Sequence, residues 1–321
     1  MRRMKIAAGQ LGPVSRHDSR RGVVARLCEL MREAHAKGAR WIVFPELALT
    51  TFFPRDIVKD VRELDRYFEA AMPGEETRAL FDLAARLGMG FYLGYAELTS
   101  TQERFNSSIL VDGNARMVGK YRKVHLPGDT EPNPARIWQQ LEKRYFRSGD
   151  LGFPVWRTVD GVFGMCICND RRWPETFRVM GLKGVELVML GYCTPAENTI
   201  DPVREPAALR LFQSDLCLQA GAYQNATFVV AAAKAGVEEG CRNQAGSCIV
   251  APTGQVIARA DTEGDEVVCA EIDLDDCLFY KRGLFDFAAH RRIEHYTLIT
   301  QQAGGSPQEP QQSTGSSAGR Q

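Results

Sequence analysis

Short apolar runs alternate with amphipathic stretches over the first third of this chain, and that alternation leaves few architectures open to it. Lys5 to Leu11 suits a strand. Val23 to Ala36 then carries apolar residues at helical spacing (Val24, Leu27, Leu30, Met31) and stops at Lys37-Gly38. Trp41-Ile42-Val43-Phe44 is wholly apolar, as a strand buried on both faces or packed beneath helices would be. A second unit follows, with Glu75 to Leu87 amphipathic and Gly90 to Gly94 a strand. The order then changes. Phe105 to Asp112 and Ala115 to Tyr121 predict a hairpin about Asp112-Gly113-Asn114, and Gly128 to Arg136 is a polar, proline-bearing loop running into a short helix near Ile137 to Lys143. Val185 to Leu190, Phe228 to Ala233, Ser247 to Ala251, Gln255 to Ala260 and Glu266 to Ile272 read as strands, with a long helix over Ala207 to Tyr223. Helical units followed by hairpin pairs predict an α/β fold with a mixed sheet, or two packed sheets, and helices outside.

Charge excludes several functions. The 40 acidic and 40 basic residues balance, so no electrostatic footprint for nucleic acid or an acidic membrane surface is present. The apolar runs are far too short to span a bilayer, and the basic start Met1 to Lys5 leads into a strand rather than a signal-peptide core. A cytoplasmic protein is expected. Gln301 to Gln321 is rich in Gln, Gly, Ser and Pro and has no hydrophobic face, which predicts one domain over residues 1–300 and a disordered tail over 301–321.

The nine cysteines are odd in number and have no framework spacing, and Cys28, Cys217, Cys248 and Cys269 lie in apolar segments as core residues of a reducing compartment do. Cys166 and Cys168 form a C-x-C pair, but no second pair or histidine motif completes a ligand set. Neither metal nor cofactor is expected.

The chemistry is expected in Val162 to Glu175, V-F-G-M-C-I-C-N-D-R-R-W-P-E. Its first half reads as a buried strand and its second as the start of a helix, with Pro174 in the first turn and Phe177 and Met180 on one face. Cys168 therefore falls where a strand ends and a helix begins, near Arg171 and Arg172, a setting that favours the thiolate. A cysteine there also serves as a small buried hydrophobe, so partners are needed to decide. Glu46 ends the apolar strand behind Pro45, where desolvation would raise its pKa toward that of a useful base; a strand-terminating surface glutamate looks the same from this segment alone. Lys123 ends a basic tract in which alternation puts Tyr121, Lys123 and His125 on one face.

The tracts F-P-E-L-A-L-T, K-Y-R-K-V-H-L-P-G and C-I-C-N-D-R-R-W-P-E resemble the Glu, Lys and Cys signatures of the nitrilase (carbon–nitrogen hydrolase) superfamily, in the right order between about Lys5 and Thr297. T-T-F-F-P-R, L-E-K-R-Y-F, L-G-F-P-V and S-C-I-V-A-P-T-G look closest to the N-carbamoyl-D-amino-acid hydrolases. The resemblance implies a four-layer α-β-β-α sandwich that pairs as a homodimer or homotetramer. It implies Cys168 as nucleophile, Glu46 as general base, Lys123 as oxyanion stabiliser and Glu142 as a second active-site glutamate. Asn169, Arg171 and Arg172 would serve the substrate, with the arginines holding its carboxylate; alternatively, one arginine merely pairs with Asp170 or Glu175. Two pocket positions depart from the carbamoyl-hydrolase pattern: Gln140 stands for a histidine, and Cys193 for the asparagine of G-Y-N-T-P. The implied reaction cleaves the carbamoyl C–N bond of an N-carbamoyl-D-amino acid to the amino acid, ammonia and carbon dioxide. Hydrolysis of another carboxamide or a β-ureido acid, or an inactive scaffold, are the alternatives.

Overall fold

A computed structural model describes residues 1–304. The strand Arg3–Gln10 runs parallel to Trp41–Val43, which runs parallel to Gly90–Leu98; this three-strand centre is flanked by antiparallel strands Glu266–Asp273 on one side and Arg104–Val111 and Met117–Arg122 on the other. A second sheet repeats the plan. Val162–Ile167, Leu187–Tyr192 and Phe228–Ala233 are parallel, with Val155–Arg157 antiparallel at one edge and Cys248–Val250 and Val256–Arg259 at the other.

Alternation along each strand divides the side chains between two cores. In the first sheet Ile6, Ala8, Trp41, Val43, Tyr92 and Leu110 pack toward Phe163, Met165 and the rest of the second sheet. Their neighbours Ala7, Ile42, Phe91, Leu93, Ile109 and Val111 face the helices Arg20–Ala36 and Arg78–Leu87. On the far side, Phe177 and Met180 of the helix Pro174–Leu182 and Leu218 and Ala222 of Ala207–Gln224 cover the second sheet. The result is the four-layer α-β-β-α sandwich. Trp41 meets Phe163 edge-on between the sheets, centroids 5.1 Å apart, and the Tyr92 hydroxyl bonds Cys166 O and Gly191 N, both at 3.1 Å.

Several local readings need correction. The hairpin turn is longer than predicted: Ala115 takes φ +58° and pairing resumes only at Met117. The helix expected over Ile137 to Lys143 is a single turn, Glu142–Tyr145. A helix not expected from the sequence, Asp276–Lys281, follows the last strand. The chain divides into two compact units, Met1–Phe285 and one beginning at Asp286. In the second, Phe287–His290 and Thr297–Gln301 are short helices; most of the tail expected to be disordered, residues 305–321, lies outside the described residues. Among the described residues no helix is long and apolar enough to cross a membrane.

Candidate active site

The two sheets close on Glu46. Gly94 of the first and Gly191 of the second lie on either side of the Pro45–Glu46 backbone. A Cβ at Gly94 would stand 2.6 Å from Pro45 O, and one at Gly191 would stand 2.4 Å from Glu46 N. Only glycine admits that approach. Glu46 is thereby driven to the bottom of the cleft between the sheets and fully buried.

A buried carboxylate needs donors, and the surrounding strands supply them. Lys123, directly after the strand Met117–Arg122, donates through Nζ to Glu46 Oε1 at 2.7 Å and to Glu142 Oε2 at 2.6 Å. Alternation predicts the inward turn: Tyr121 and Lys123 are buried, whereas Arg122 turns away to Glu97 and Asp150. Cys193 donates its backbone N–H to Glu46 Oε2 at 2.9 Å. Asn106, which sequence reasoning missed, donates Nδ2 to Glu46 Oε1 at 2.8 Å and to Glu142 Oε2 at 3.3 Å, and its carbonyl accepts from Lys123 N–H at 2.8 Å. The available signal was a polar run, Asn106-Ser107-Ser108, inside a strand that is otherwise apolar.

Two carboxylates thus share one ammonium. Burial pushes Glu142 up to about 7, Glu46 adding to the push and Lys123 opposing it. Burial works against the charge on Lys123, but Cys168, Glu142 and Glu46 hold its ammonium above the ordinary lysine range.

Cys168 directly follows Val162–Ile167 within electrostatic reach of this cluster, its Sγ 3.7 Å from Thr194 Oγ1 and 4.0 Å from Cys193 O. Its φ of +47° is a left-handed value that costs a non-glycine residue roughly 1–3 kcal/mol and recurs where a side chain must be presented at a sharp turn. The surroundings of Cys168 work against the expected thiolate. Burial pushes the thiol up, Glu46 adds to this, and Lys123 and Arg171 only partly oppose it. The helical segment that follows is a single 3-10 turn, Cys168–Arg172, and Arg171 Nη1 bonds the carbonyl of Cys168 at 2.7 Å rather than its sulfur. Cys166, two residues earlier, points into the apolar core and its thiol is pushed well above the usual range by burial.

The expected substrate contacts separate. Arg171 is buried with its nitrogens engaged by Cys168 O, Ser214 Oγ and Thr194 Oγ1, so it supports the loop and offers no free fork to a carboxylate. Neither arginine pairs with Asp170. That carboxylate accepts instead from Tyr121 at 2.7 Å and from His125 N–H at 2.9 Å, and lies 2.8 Å from the His125 ring. Arg172 contacts Asn169 Oδ1 at 3.4 Å, has no carboxylate partner among the described residues, and lines a pocket of about 150 Å³ with Phe177, Leu216 and Cys217. Repulsion from Arg171, then burial, pushes its pKa down to about 10. The Cys193 side chain turns away from Cys168 toward Arg55 and Asn243, leaving only its backbone at Glu46. Gln140 closes a loop through its carbonyl, which accepts from Asp129 N–H at 2.9 Å.

Beside the cluster opens a cleft of about 450 Å³ whose walls include Val124, Lys143 and Asn169, the residues directly after Lys123, Glu142 and Cys168. His125 and Trp173 stack there, centroids 5.0 Å apart, and no acidic residue lines it among the described residues. No group of three or more His, Cys, Asp or Glu side chains among the described residues is arranged to hold a metal ion.

The pattern of the carbon-nitrogen hydrolase family matches residues 5–282, a range that includes Glu46, Lys123, Glu142 and Cys168. The chain belongs to the carbon-nitrogen hydrolase family. It is similar to N-carbamoylputrescine amidase of Arabidopsis thaliana, 30% identical over 291 residues covering 86% of this chain and 89% of that protein. It is also similar to citrullinase of Francisella tularensis subsp. tularensis, 28% identical over 306 residues covering 93% and 99%. Its fold matches the crystal structure of a carbon-nitrogen hydrolase from Helicobacter pylori G27, with a TM-score of 0.81 and 23% identity over 94% of this chain and 99% of that one. As a carbon-nitrogen hydrolase, the chain is an enzyme acting on non-peptide C–N bonds of a small molecule.

Proposed function

We propose that this hydrolase cleaves the carbamoyl C–N bond of N-carbamoyl amino acids, those of the D series, through a thioester on Cys168. The observation that carries the mechanism is a buried thiol within electrostatic reach of a carboxylate–ammonium–carboxylate cluster, its pKa pushed up by burial and by Glu46. Such a thiol needs a base at the moment of attack. Glu46 takes the proton as Cys168 attacks the carbonyl carbon, and the Lys123 ammonium faces the charge that develops on oxygen. Glu46 returns the proton to the departing amine nitrogen, the C–N bond breaks, and a carbamoyl thioester remains on sulfur. Water activated by Glu46 releases carbamate, which decomposes to ammonia and carbon dioxide. Glu142, with its Oε1 buried and without a hydrogen-bond partner, is free to receive the substrate's amide N–H.

The anionic tail is supported by Arg172, which has no acidic partner among the described residues and is not tied into the loop as Arg171 is, and by a cleft with His125 and Lys143 but no carboxylate. The relatives include enzymes whose names specify ureido substrates, one of them an amino acid and one an amine. A cationic tail would want an acidic wall, which this cleft lacks. A screen of N-carbamoyl amino acids of both enantiomers, N-carbamoylputrescine, β-ureido acids and simple carboxamides, read by ammonia release, tests the proposal. Preferred turnover of an N-carbamoyl-D-amino acid is expected. Preference for the amine or for a plain amide would overturn the substrate reading and leave the cysteine mechanism standing.

A further inference from the structure

A second buried ionic cluster lies behind the first. Glu238 is fully buried; its carboxylate accepts from Phe52 N–H at 2.6 Å, Val14 N–H at 3.1 Å and Lys234 Nζ at 2.8 Å. Lys234, also fully buried, reaches in addition to the carbonyl of Thr50. Arg55 joins through Nη1, 3.8 Å from Glu238 Oε1, while its Nη2 donates to Asn243 Oδ1 at 2.5 Å and lies 3.3 Å from Cys193 Sγ. No part of this cluster touches the reacting atoms.

Arg55 is poorly placed for stability alone. Its side chain is 5% exposed, and neither Nε nor Nη1 has a hydrogen-bond partner. Burying an incompletely satisfied guanidinium is costly, and an apolar residue of that size would serve a structural role better. Its neighbours give the reason for it. Arg55 holds the side chain of Cys193, whose N–H anchors Glu46. Pro54, one residue before, accepts at its carbonyl from Leu141 N–H at 2.8 Å, and Leu141 directly precedes Glu142. The short turn Phe53–Arg55 therefore leads to both carboxylates, and Glu238 and Lys234 hold the residues just before it through Phe52 N–H and the carbonyl of Thr50.

We propose that Arg55, braced by Glu238 and Lys234, is a positioning residue that sets Glu46 against Cys168 through Cys193. This rests on the mechanism above, in which Glu46 deprotonates Cys168. A misplacement on the order of 1 Å can lower a rate about 10²-fold without weakening binding. Arg55→Met should accordingly lower kcat by about 10- to 100-fold with KM within about twofold, and Arg55→Lys should recover most of the loss. Alkylation of Cys168 by iodoacetamide, which needs no knowledge of the substrate, should slow in Arg55→Met to the same degree. In a Glu46→Gln background Arg55→Met should slow it no further, because the two substitutions then interrupt one path.

If Arg55→Met does not fold, Cys193→Ala and Cys193→Ser serve in its place. Both keep the N–H, but only serine keeps an acceptor for the guanidinium, so alanine should lose kcat and serine retain it. Unchanged kcat in a folded Arg55→Met or in Cys193→Ala, a loss confined to KM, or an equal added penalty in the Glu46→Gln background would overturn the proposal. Absence of ammonia release by the wild type from every amide and carbamoyl compound would instead overturn the mechanism on which it rests.

Discussion

Lys123 Nζ stands 2.6 Å from Glu142 Oε2, both groups fully buried, in a cluster where a second carboxylate competes for the same ammonium. Burial, with Glu46 adding to it and Lys123 only partly opposing it, raises Glu142 from 4.5 to about 7. The folded protein therefore holds this proton more tightly than the unfolded chain does. Its contribution to stability is full below pH 4.5 and is lost as pH rises through about 7. The urea midpoint of the wild type should fall over that range relative to Glu142→Gln, which cannot ionise. Parallel pH profiles for the two proteins would contradict this.

Removing Lys123 should damage the fold as well as the rate. Lys123→Met leaves Glu46 and Glu142 buried without a cation, a situation that typically costs about 3–5 kcal/mol. Adding Glu142→Gln should return part of the urea stability without returning turnover. If the double variant is no more stable than the single one, the shared-ammonium account is wrong.

Asn106→Leu keeps the volume but removes the amide that bridges the two carboxylates. A loss of about 1–3 kcal/mol in stability and at least tenfold in kcat is expected. Asn106→Asp, which adds a third carboxylate, should be worse on both measures. Activity equal to wild type in either variant would remove Asn106 from the site.

Part of this site was legible in the sequence because Glu46 and Cys168 each end an apolar segment, so their polarity stands out against what precedes them. Lys123 lies in a basic tract and was legible instead from strand alternation, which puts it on the inward face with Tyr121. Arg55, Lys234 and Glu238 were not singled out, because what makes each of them buried and paired comes from chain segments distant in sequence. The electrostatics around Cys168 were not legible for a related reason. Nearby arginines in sequence suggested a thiolate, but Arg171 turns to a backbone carbonyl and Glu46 arrives from the other sheet.

Arg172→Ala tests the tail of the substrate. A charge-assisted bond to a carboxylate is worth about 1.5–3 kcal/mol, so KM for an N-carbamoyl amino acid should rise by roughly one to two decades. KM for a neutral amide of similar size should not move. An equal effect on both substrates would mean that Arg172, which stands beside Arg171 against the Ala207–Gln224 helix, acts on the loop and not on the carboxylate.

The central claim is that the reaction passes through sulfur at position 168, and comparison of Cys168→Ala with Cys166→Ala tests it most directly. The two thiols are two residues apart at one strand end and both buried, but Cys168 feels the charges of Glu46, Lys123 and Glu142, whereas Cys166 does not. Cys168→Ala should show no ammonia release and no acyl adduct by mass spectrometry of the quenched enzyme, while Cys166→Ala keeps most of its turnover and carries the adduct on Cys168. Turnover surviving in folded Cys168→Ala, or an adduct found on Cys166, would contradict the account.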